Sequence, residues 1–249
     1  VAKYAAVSAA GPLLINELKV LTKTLRNPKT PLVAIVGGAK VSSKLILLET
    51  LLEKVDQLIV GGGIVNTFLK AAGYEVGKSL YETELVETAS MLMKQAKKNG
   101  CQIPLPIDVV CGKAFNKKTI AVTKHISNIE TDDIIMDIGP ESCKQLSELV
   151  AKANTIVWNG PLGVFEFNNF SQGTENLANS IAESNAYSIA GGGDTIAAIS
   201  KFNVEDKISY ISTGGGAFLE FLEGKKLPAI EILEEAARAW RAMERAREL

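Results

Sequence analysis

Histidine is almost absent from this chain, and cysteine is scarce and irregularly spaced. His125 is the only histidine among 249 residues and no serine lies in a G-x-S-x-G motif, which disfavours a nucleophile–histidine triad. Cys101, Cys111 and Cys143 are odd in number and form no C-x-x-C pair, which argues against a disulfide framework or a structural zinc site. We interpret these thiols as buried or half-buried side chains, and His125 as part of a surface strand or loop.

The chain also lacks an excess of charge and a long apolar run. Its 27 Lys and Arg residues nearly balance its 28 Asp and Glu residues, so no broad basic field exists for a nucleic acid backbone. No apolar run approaches membrane-spanning length, and the start at Val1–Tyr4 has neither a signal-peptide pattern nor an initiator methionine. We therefore expect a cytoplasmic chain with a cut start and with no nucleic acid or membrane partner.

Strand-like runs alternate with amphipathic helical patterns along most of the sequence. We predict helices over 12–25, 42–54, 64–72, 82–98, 141–152 and 174–183, and strands over 32–36, 57–60, 155–158 and 187–190. Residues 103–110 and 119–122 are predicted as a strand and a hairpin-like excursion, with prolines at the margin. This alternation predicts a Rossmann-like, three-layer α/β/α domain with a mostly parallel central sheet, and a ligand outside the carboxyl ends of its strands.

Four strand-like runs end in glycine clusters, namely Gly37-Gly38, Gly61–Gly63, Gly191–Gly193 and Gly214–Gly216. Glycine leaves backbone N–H groups uncovered, so a phosphate can approach such a turn closely. None of the clusters fits G-x-x-x-x-G-K-[ST] or G-x-G-x-x-G, which excludes a Walker loop and a standard dinucleotide fingerprint. Each cluster alone is therefore compatible with a tight turn or with a ligand site.

The residues after these clusters favour a nucleotide. Lys40 and Lys44 are predicted on one face of a helix start, where they oppose the helix dipole unless an anion is bound. Asp194 follows the third cluster, as a helix N-cap or as a carboxylate that holds Mg²⁺ beside phosphates. The segment 157–166 either packs on the sheet as a structural loop or accommodates a flat base, with Glu166 accepting hydrogen bonds from a ribose.

Five segments together resemble the C-terminal, nucleotide-binding half of phosphoglycerate kinase, in the order and spacing of that family. They are Gly37–Lys44, Asp137–Pro140, Trp158–Glu166, Gly191–Thr195 and Ser212–Ala217. The likeness covers residues 1–237, which we predict as one nucleotide-binding domain. It implies phosphoryl transfer between 1,3-bisphosphoglycerate and ADP, giving 3-phosphoglycerate and ATP, with Mg²⁺.

The resemblance also implies residue roles. The adenosine is expected against Gly38, Ala39, Gly62, Gly63, Leu80, Phe115, Met136, Asn159, Pro161, Gly163 and Val164. Glu166 is expected to hold the ribose, Gly192, Gly193 and Thr195 the nucleotide phosphates, and Asp194 the metal. Lys44, with Lys40 close by, is expected to contact the transferred phosphoryl group. Gly193 and Gly215 complete the expected catalytic set, with the Gly214–Gly216 turn facing an interdomain cleft.

Two features depart from the family pattern. The N-terminal domain that holds phosphoglycerate with arginines and a histidine is expected to be missing, because Arg26 is the only arginine before residue 238. We therefore expect a monomer that binds ADP or ATP with little or no turnover. The alternative is a non-catalytic scaffold with a vestigial site. Residues 238–249 are predicted as an appended helical extension that covers bare surface.

Overall fold

A computed structural model of the protein describes residues 5, 7–26 and 28–247. The chain start at residues 1–4 and the end of the predicted extension at residues 248–249 lie outside the described residues. The helices are α1 (Pro12–Arg26), α2 (Leu45–Leu52), α3 (Gly63–Ala71), α4 (Val86–Asn99), α5 (Pro140–Ala151), α6 (Gln172–Glu183), α7 (Gly193–Lys201), α8 (Gly216–Leu222) and α9 (Pro228–Arg247). The strands are β1 (Leu32–Gly38), β2 (Gln57–Gly62), β3 (Asp108–Gly112), β4 (Val122–His125), β5 (Ile134–Ile138), β6 (Thr155–Asn159), β7 (Tyr187–Ala190) and β8 (Tyr210–Ile211).

Five strands form a parallel sheet in the order β2-β1-β6-β7-β8. In its centre Ile35 is paired with Ile59 on one side and with Trp158 on the other. These strands are nearly continuous apolar runs, because helices cover both faces of the sheet. The predicted α/β/α domain with a mostly parallel sheet is confirmed.

Alternate residues of β1 divide the core into two layers. Ala34 and Val36 pack in a cluster with α2, α3, α4 and α8. Val33 and Ile35 pack in a second cluster with α5, α6 and α7. The side-chain period of two along a strand thus supplies apolar contacts to helices on both faces.

A second sheet departs from the predicted alternation. Strands β4, β3 and β5 form an antiparallel sheet in the order β4-β3-β5. The strand predicted from Ile103 begins only at Asp108, since Pro104 and Pro106 have no N–H to donate to a ladder. Strand β5 was not predicted from periodicity. His125 ends β4 at the surface, as expected.

The first turn of the predicted helix over 42–54 is replaced by a tighter turn. The backbone N–H of Ser42 donates to Glu82 (2.8 Å), and the N–H of Lys44 donates to the carbonyl oxygen of Val41 (2.9 Å). Helix α2 therefore begins at Leu45.

Among the described helices, none has the length and apolarity needed to cross a membrane.

Candidate functional site

Glycine turns lie side by side at the carboxyl ends of β1 and β2. Gly37 is paired with Gly61, and the N–H of Gly62 donates to the carbonyl oxygen of Leu162 (2.8 Å) in the turn after β6. A Cβ on Gly37 would lie 1.9 Å from the carbonyl oxygen of Pro161, and one on Gly61 would lie 2.7 Å from Cα of Leu162. Close packing of three turns therefore explains the glycines at positions 37 and 61.

A cavity of about 710 Å³ opens at this edge of the sheet, and we call it the edge pocket. It is bounded by the turns after β1, β2 and β6, by β5, and by the segments around residues 80 and 115. Sequence-predicted residues that line it are Gly38, Ala39, Gly62, Gly63, Leu80, Phe115, Met136, Pro161, Gly163, Val164, Glu166 and Asp194. The fold thus brings most of the predicted adenosine contacts to one cavity.

One end of the edge pocket is apolar. Leu80 and Phe115 are 54 % and 65 % exposed, which is unusual for large apolar side chains. Phe115 packs against Phe167, with ring centroids 5.2 Å apart. The backbone N–H of Val164 donates a hydrogen bond to the carbonyl oxygen of Met136 (2.7 Å), which joins the loop after β6 to β5. This end offers aromatic and aliphatic surface to a flat ligand. Phe167 was missed, although the aromatic character of the loop that ends at Glu166 continues to it.

A buried carboxyl group, Asp137, supports the floor of the edge pocket. Its Oδ2 accepts a hydrogen bond from the N–H of Gly173 (2.8 Å), near the start of α6. A Cβ on Gly163 or on Gly173 would lie 2.2 Å from its Oδ1. Burial raises the pKa of Asp137 to about 7, against hydrogen bonds from the N–H groups of Gly173 and Ile138. Asp137 appeared in the sequence only within the Asp137–Pro140 motif, and its structural role was not foreseen.

The other end of the edge pocket is charged. Asp194 lines it with an exposed carboxylate, and Lys44 is half-buried nearby. Burial lowers the pKa of the Lys44 ammonium, whereas the charges of Asp194 and Glu223 raise it. An ammonium that is partly withdrawn from water is prepared to bind an anion more strongly than an exposed one would.

Two buried polar side chains connect the turns at this charged end. Asn159 accepts a hydrogen bond from the Lys44 ammonium and donates from Nδ2 to the carbonyl oxygen of Gly191 (2.7 Å). The Thr195 hydroxyl donates to the same carbonyl oxygen (2.9 Å) and accepts from the N–H of Gly160 (2.7 Å). Asn159 does not line the edge pocket. The structure places it beside Lys44, and its expected contact with the base stays a prediction.

Helix α7 begins at the charged end of the edge pocket. The backbone N–H groups of its first turn have no carbonyl oxygen one turn earlier in the helix to which they could donate. Gly192 is its N-cap, with φ of 98°, so the N-cap alternative for Asp194 is wrong. Apart from its own helix and chain neighbours, no described residue lies within 4 Å of where a Cβ on Gly193 would be, so this backbone is open to a ligand. Gly193, Asp194 and Thr195 form the first turn, a position that suits anionic groups.

Similarity to known proteins identifies the family of this chain. The family model described as phosphoglycerate kinase matches residues 1–225. This chain belongs to the phosphoglycerate kinase family. A phosphoglycerate kinase of Francisella tularensis subsp. novicida is 60 % identical over 237 residues, which cover 95 % of this chain and 60 % of that protein.

Solved structures of two phosphoglycerate kinases are also similar to this chain. The phosphoglycerate kinase of Coxiella burnetii matches with a TM-score of 0.91 and 55 % identity, covering 95 % of this chain and 61 % of that one. The enzyme of Pyrococcus horikoshii matches with a TM-score of 0.80 and 32 % identity, covering 92 % and 57 %. The chain thus spans about 60 % of the length of the phosphoglycerate kinases that it matches.

Seven of the residues expected by resemblance to phosphoglycerate kinase do not line the edge pocket, namely Lys40, Lys44, Asn159, Gly192, Gly193, Thr195 and Gly215. Lys40 is exposed on the loop before α2. Helix α2 begins only at Leu45, so neither Lys40 nor Lys44 lies within it, and Lys44 is its N-cap residue. Gly215 is exposed in the turn before α8 and has open space around its Cβ position. The predicted pairing of Lys40 and Lys44 on one helical face is therefore wrong.

A separate acidic cluster on the small sheet has its own counter-charges. The Lys113 ammonium lies 2.7 Å from Glu130, 2.6 Å from Asp132 and 3.0 Å from Asp133, and Lys124 lies 2.8 Å from Asp133. Hydrogen bonds to Asp132, Glu130 and Asp133 raise the pKa of Lys113. These carboxylates are neutralised by lysines, so Asp194 is the better metal candidate in this phosphoglycerate kinase family member.

Proposed function

We propose that this chain binds ADP and ATP with Mg²⁺ in the edge pocket, as the nucleotide-binding half of a phosphoglycerate kinase. The whole reaction transfers a phosphoryl group between 1,3-bisphosphoglycerate and ADP, giving 3-phosphoglycerate and ATP. The observation that carries the proposal is the polarity of the edge pocket. One end is apolar and partly aromatic, and the other is lined by Asp194, with Lys44 and the start of α7 beside it.

This polarity matches the two parts of a nucleotide. The base is proposed between the glycine turn at Gly62-Gly63 and the side chains of Leu80 and Phe115, with the ribose at the exposed Glu166 carboxylate. The phosphates then extend toward the open backbone at Gly193. Backbone N–H groups at a helix start stabilise phosphate without a cost of reorganisation during transfer.

Mg²⁺ fits the charged end. Asp194 offers an exposed carboxylate without a hydrogen bond or ion pair to any described residue, beside the proposed phosphate position. Magnesium is commonly held by one or two carboxylates together with substrate phosphates and water. The bound ion would supply neutralising charge to the phosphate oxygens. Asp194 would position it.

Lys44 is proposed to stabilise the phosphoryl group in transit. An acyl phosphate needs no strong general base for transfer to ADP, so positioning and charge neutralisation carry the chemistry. Asn159 holds the Lys44 ammonium in place through its amide oxygen, while its amide nitrogen is tied to the turn after β7. Asn159 is thus a positioning residue.

We further propose that the 249-residue chain by itself has little or no turnover. Phosphoglycerate carries anionic groups that require cationic partners, and Arg26 is the only arginine before residue 238. Its partner in the reaction is proposed to be a phosphoglycerate-binding domain. Cytoplasmic location is likewise proposed, from the metabolic role of the family.

Thermal unfolding with and without Mg·ADP tests nucleotide binding. Nucleotide at a hundred times its dissociation constant should stabilise the chain by roughly 2.7 kcal/mol. The absence of a shift at millimolar Mg·ADP would favour a scaffold with a vestigial site. A coupled assay should detect no phosphoglycerate-dependent ATP consumption by the chain alone, and appreciable consumption would contradict the second proposal. Adding a separately produced phosphoglycerate-binding domain should restore activity.

A further inference from the structure

Glu166 is one of the two central residues of a tight turn in the loop between β6 and α6. The backbone N–H of Phe167 donates to the carbonyl oxygen of Val164 (2.9 Å), which closes a four-residue turn around Phe165 and Glu166. Glu166 is exposed and lines the edge pocket, whereas Phe165 is only 5 % exposed and packs in the core. The direction of the Glu166 carboxylate therefore depends on how the peptide between these two residues is held.

Lys201, the last residue of α7, holds that peptide. Its ammonium donates to the carbonyl oxygen of Phe165 (2.5 Å) and to Oδ1 of Asn168 (3.3 Å). These two acceptors lie on either side of Glu166 in the chain. Because the carbonyl group of Phe165 and the Cα atom of Glu166 belong to one planar peptide unit, the shorter hydrogen bond restrains the point from which the Glu166 side chain extends.

Two aromatic rings and the helix itself keep the Lys201 ammonium in place. Its Nζ lies 5.9 Å from the ring centroid of Phe165 and 5.7 Å from that of Phe202, distances that suit a cation–π attraction. A cation at the end of a helix is also stabilised by the partial negative charge of the last carbonyl groups. The ammonium is thus held over the loop, although Lys201 as a whole residue is exposed.

We propose that Lys201 is a positioning residue, which fixes the loop so that the Glu166 carboxylate accepts hydrogen bonds from the ribose hydroxyl groups. The inference rests on the proposed nucleotide binding, and it adds a residue that does not itself line the edge pocket. Helix α7 then acts at both of its ends, since its first turn lies at the proposed phosphate position and its last residue fixes the loop at the ribose. One helix thereby sets the distance between two parts of the nucleotide site.

The first experiment compares two ligands on the unaltered chain by titration calorimetry with Mg²⁺. One is ADP, and the other is dideoxyadenosine diphosphate, which lacks both ribose hydroxyl groups. ADP should bind at least about tenfold more tightly, as expected for hydrogen bonds to a charged carboxylate. The ratio of the two dissociation constants then measures how well Glu166 holds the ribose.

The second experiment uses Lys201→Met, which removes the ammonium and keeps an unbranched apolar stem beside the two rings. ADP should bind about three- to tenfold more weakly than to the unaltered chain, as expected for a partly lost hydrogen bond, whereas the dideoxy ligand should bind equally well. Lys207→Met is the matched control, because Lys207 is an exposed lysine shortly after α7. Its ratio should equal that of the unaltered chain. If Lys201→Met fails to fold, Lys201→Gln also removes the ammonium and should lower the same ratio.

A third experiment tests whether Lys201 acts through Glu166. Residues that act together have non-additive effects, so Lys201→Met should not weaken ADP binding further in a chain that already carries Glu166→Ala. A role of Lys201 in general stability would reduce the affinity to the same extent with or without the Glu166 carboxylate.

The outcomes separate this inference from the proposed function. Unchanged ADP affinity in Lys201→Met, an equal loss for both ligands, or an equal loss in the Glu166→Ala background would each overturn the role of Lys201. Equal affinity of the unaltered chain for ADP and the dideoxy ligand would also overturn it and leave nucleotide binding intact. Failure of both ligands to bind the unaltered chain would overturn the proposed function and the inference together.

Discussion

Lys44 shows how one side chain acquires a role that its position in the sequence does not reveal. Its ammonium is partly buried and held by Asn159, which lies 115 positions away in the chain. Lys40, only four positions away, has an exposed side chain. The two lysines look equivalent in the sequence and differ in the fold, because a compact turn ends just before α2.

Replacing Lys44 with alanine should weaken the binding of Mg·ADP by about 10- to 100-fold, as expected for loss of a charge-assisted hydrogen bond. Titration calorimetry measures the effect directly, independently of any change in stability. Lys54→Ala is the control, because Lys54 is an exposed lysine just after α2. Equal affinities of Lys44→Ala and the unaltered chain would remove Lys44 from the proposed site.

At the scale of elements, Asp137 connects β5 to the start of α6 and fills the space left by two glycines. Periodicity did not predict β5, which is a short run in the antiparallel sheet. Its last residues nevertheless form the floor of the edge pocket. The Asp137–Pro140 motif, recognised by resemblance, thus indicated where this carboxyl group lies. Only the structure shows that it is buried because it bonds to the start of α6 and packs against two glycines.

The raised pKa of Asp137 predicts a specific pH dependence of stability. Its folded pKa of about 7 exceeds the unfolded value of about 3.9. Between these values the folded chain retains a proton that the unfolded chain loses, so this group lowers stability as pH rises, by at most about 1.4 kcal/mol per pH unit. Asp137→Asn should remove the effect, so its free energy of unfolding, relative to the unaltered chain, should rise from pH 4 to 7.

Urea unfolding at several pH values measures this difference. Asp132→Asn is a control whose difference from the unaltered chain should stay nearly constant from pH 4 to 7, because a hydrogen bond from Lys113 lowers the pKa of Asp132 below its unfolded value of about 3.9. That carboxylate contributes stability above its unfolded pKa and loses it as pH falls through the folded value. A constant difference between Asp137→Asn and the unaltered chain from pH 4 to 7 would show that Asp137 titrates normally.

At the scale of the whole molecule, the C-terminal part of α9 leaves apolar surface in solvent. Trp240 and Met243 are 46 % and 55 % exposed, and they line a cavity of about 800 Å³ that also includes Val7 and Ser8. Leu233, Ala236, Trp240 and Met243 recur at helical spacing, so the helix has one apolar side. Residues 238–249 are still proposed to be an appended extension.

Truncation after Ala237 should lower the melting temperature, because it removes Trp240, about half of whose surface is covered in the folded chain. Differential scanning calorimetry measures stability, and sedimentation velocity measures the oligomeric state, proposed to be monomeric. A shorter truncation of residues 245–249 retains Trp240 and Met243 and should have a smaller effect. If the longer truncation changed neither stability nor oligomeric state, the extension would have no role in covering surface.

The sequence by itself determined the layered architecture, the parallel sheet, the family and most residues around the edge pocket. The architecture and the parallel sheet follow from local signals, since periodicity, proline and glycine act over a few neighbouring residues. The family and the residues around the edge pocket follow from the resemblance of five segments to phosphoglycerate kinase. Tertiary structure decided the antiparallel sheet, the burial of Asp137, and the hydrogen bond between Lys44 and Asn159 that distinguishes Lys44 from Lys40. Each depends on hydrogen-bond partners or packing surfaces that are distant in the chain, and burial alone makes an unpaired polar atom or a shifted pKa significant.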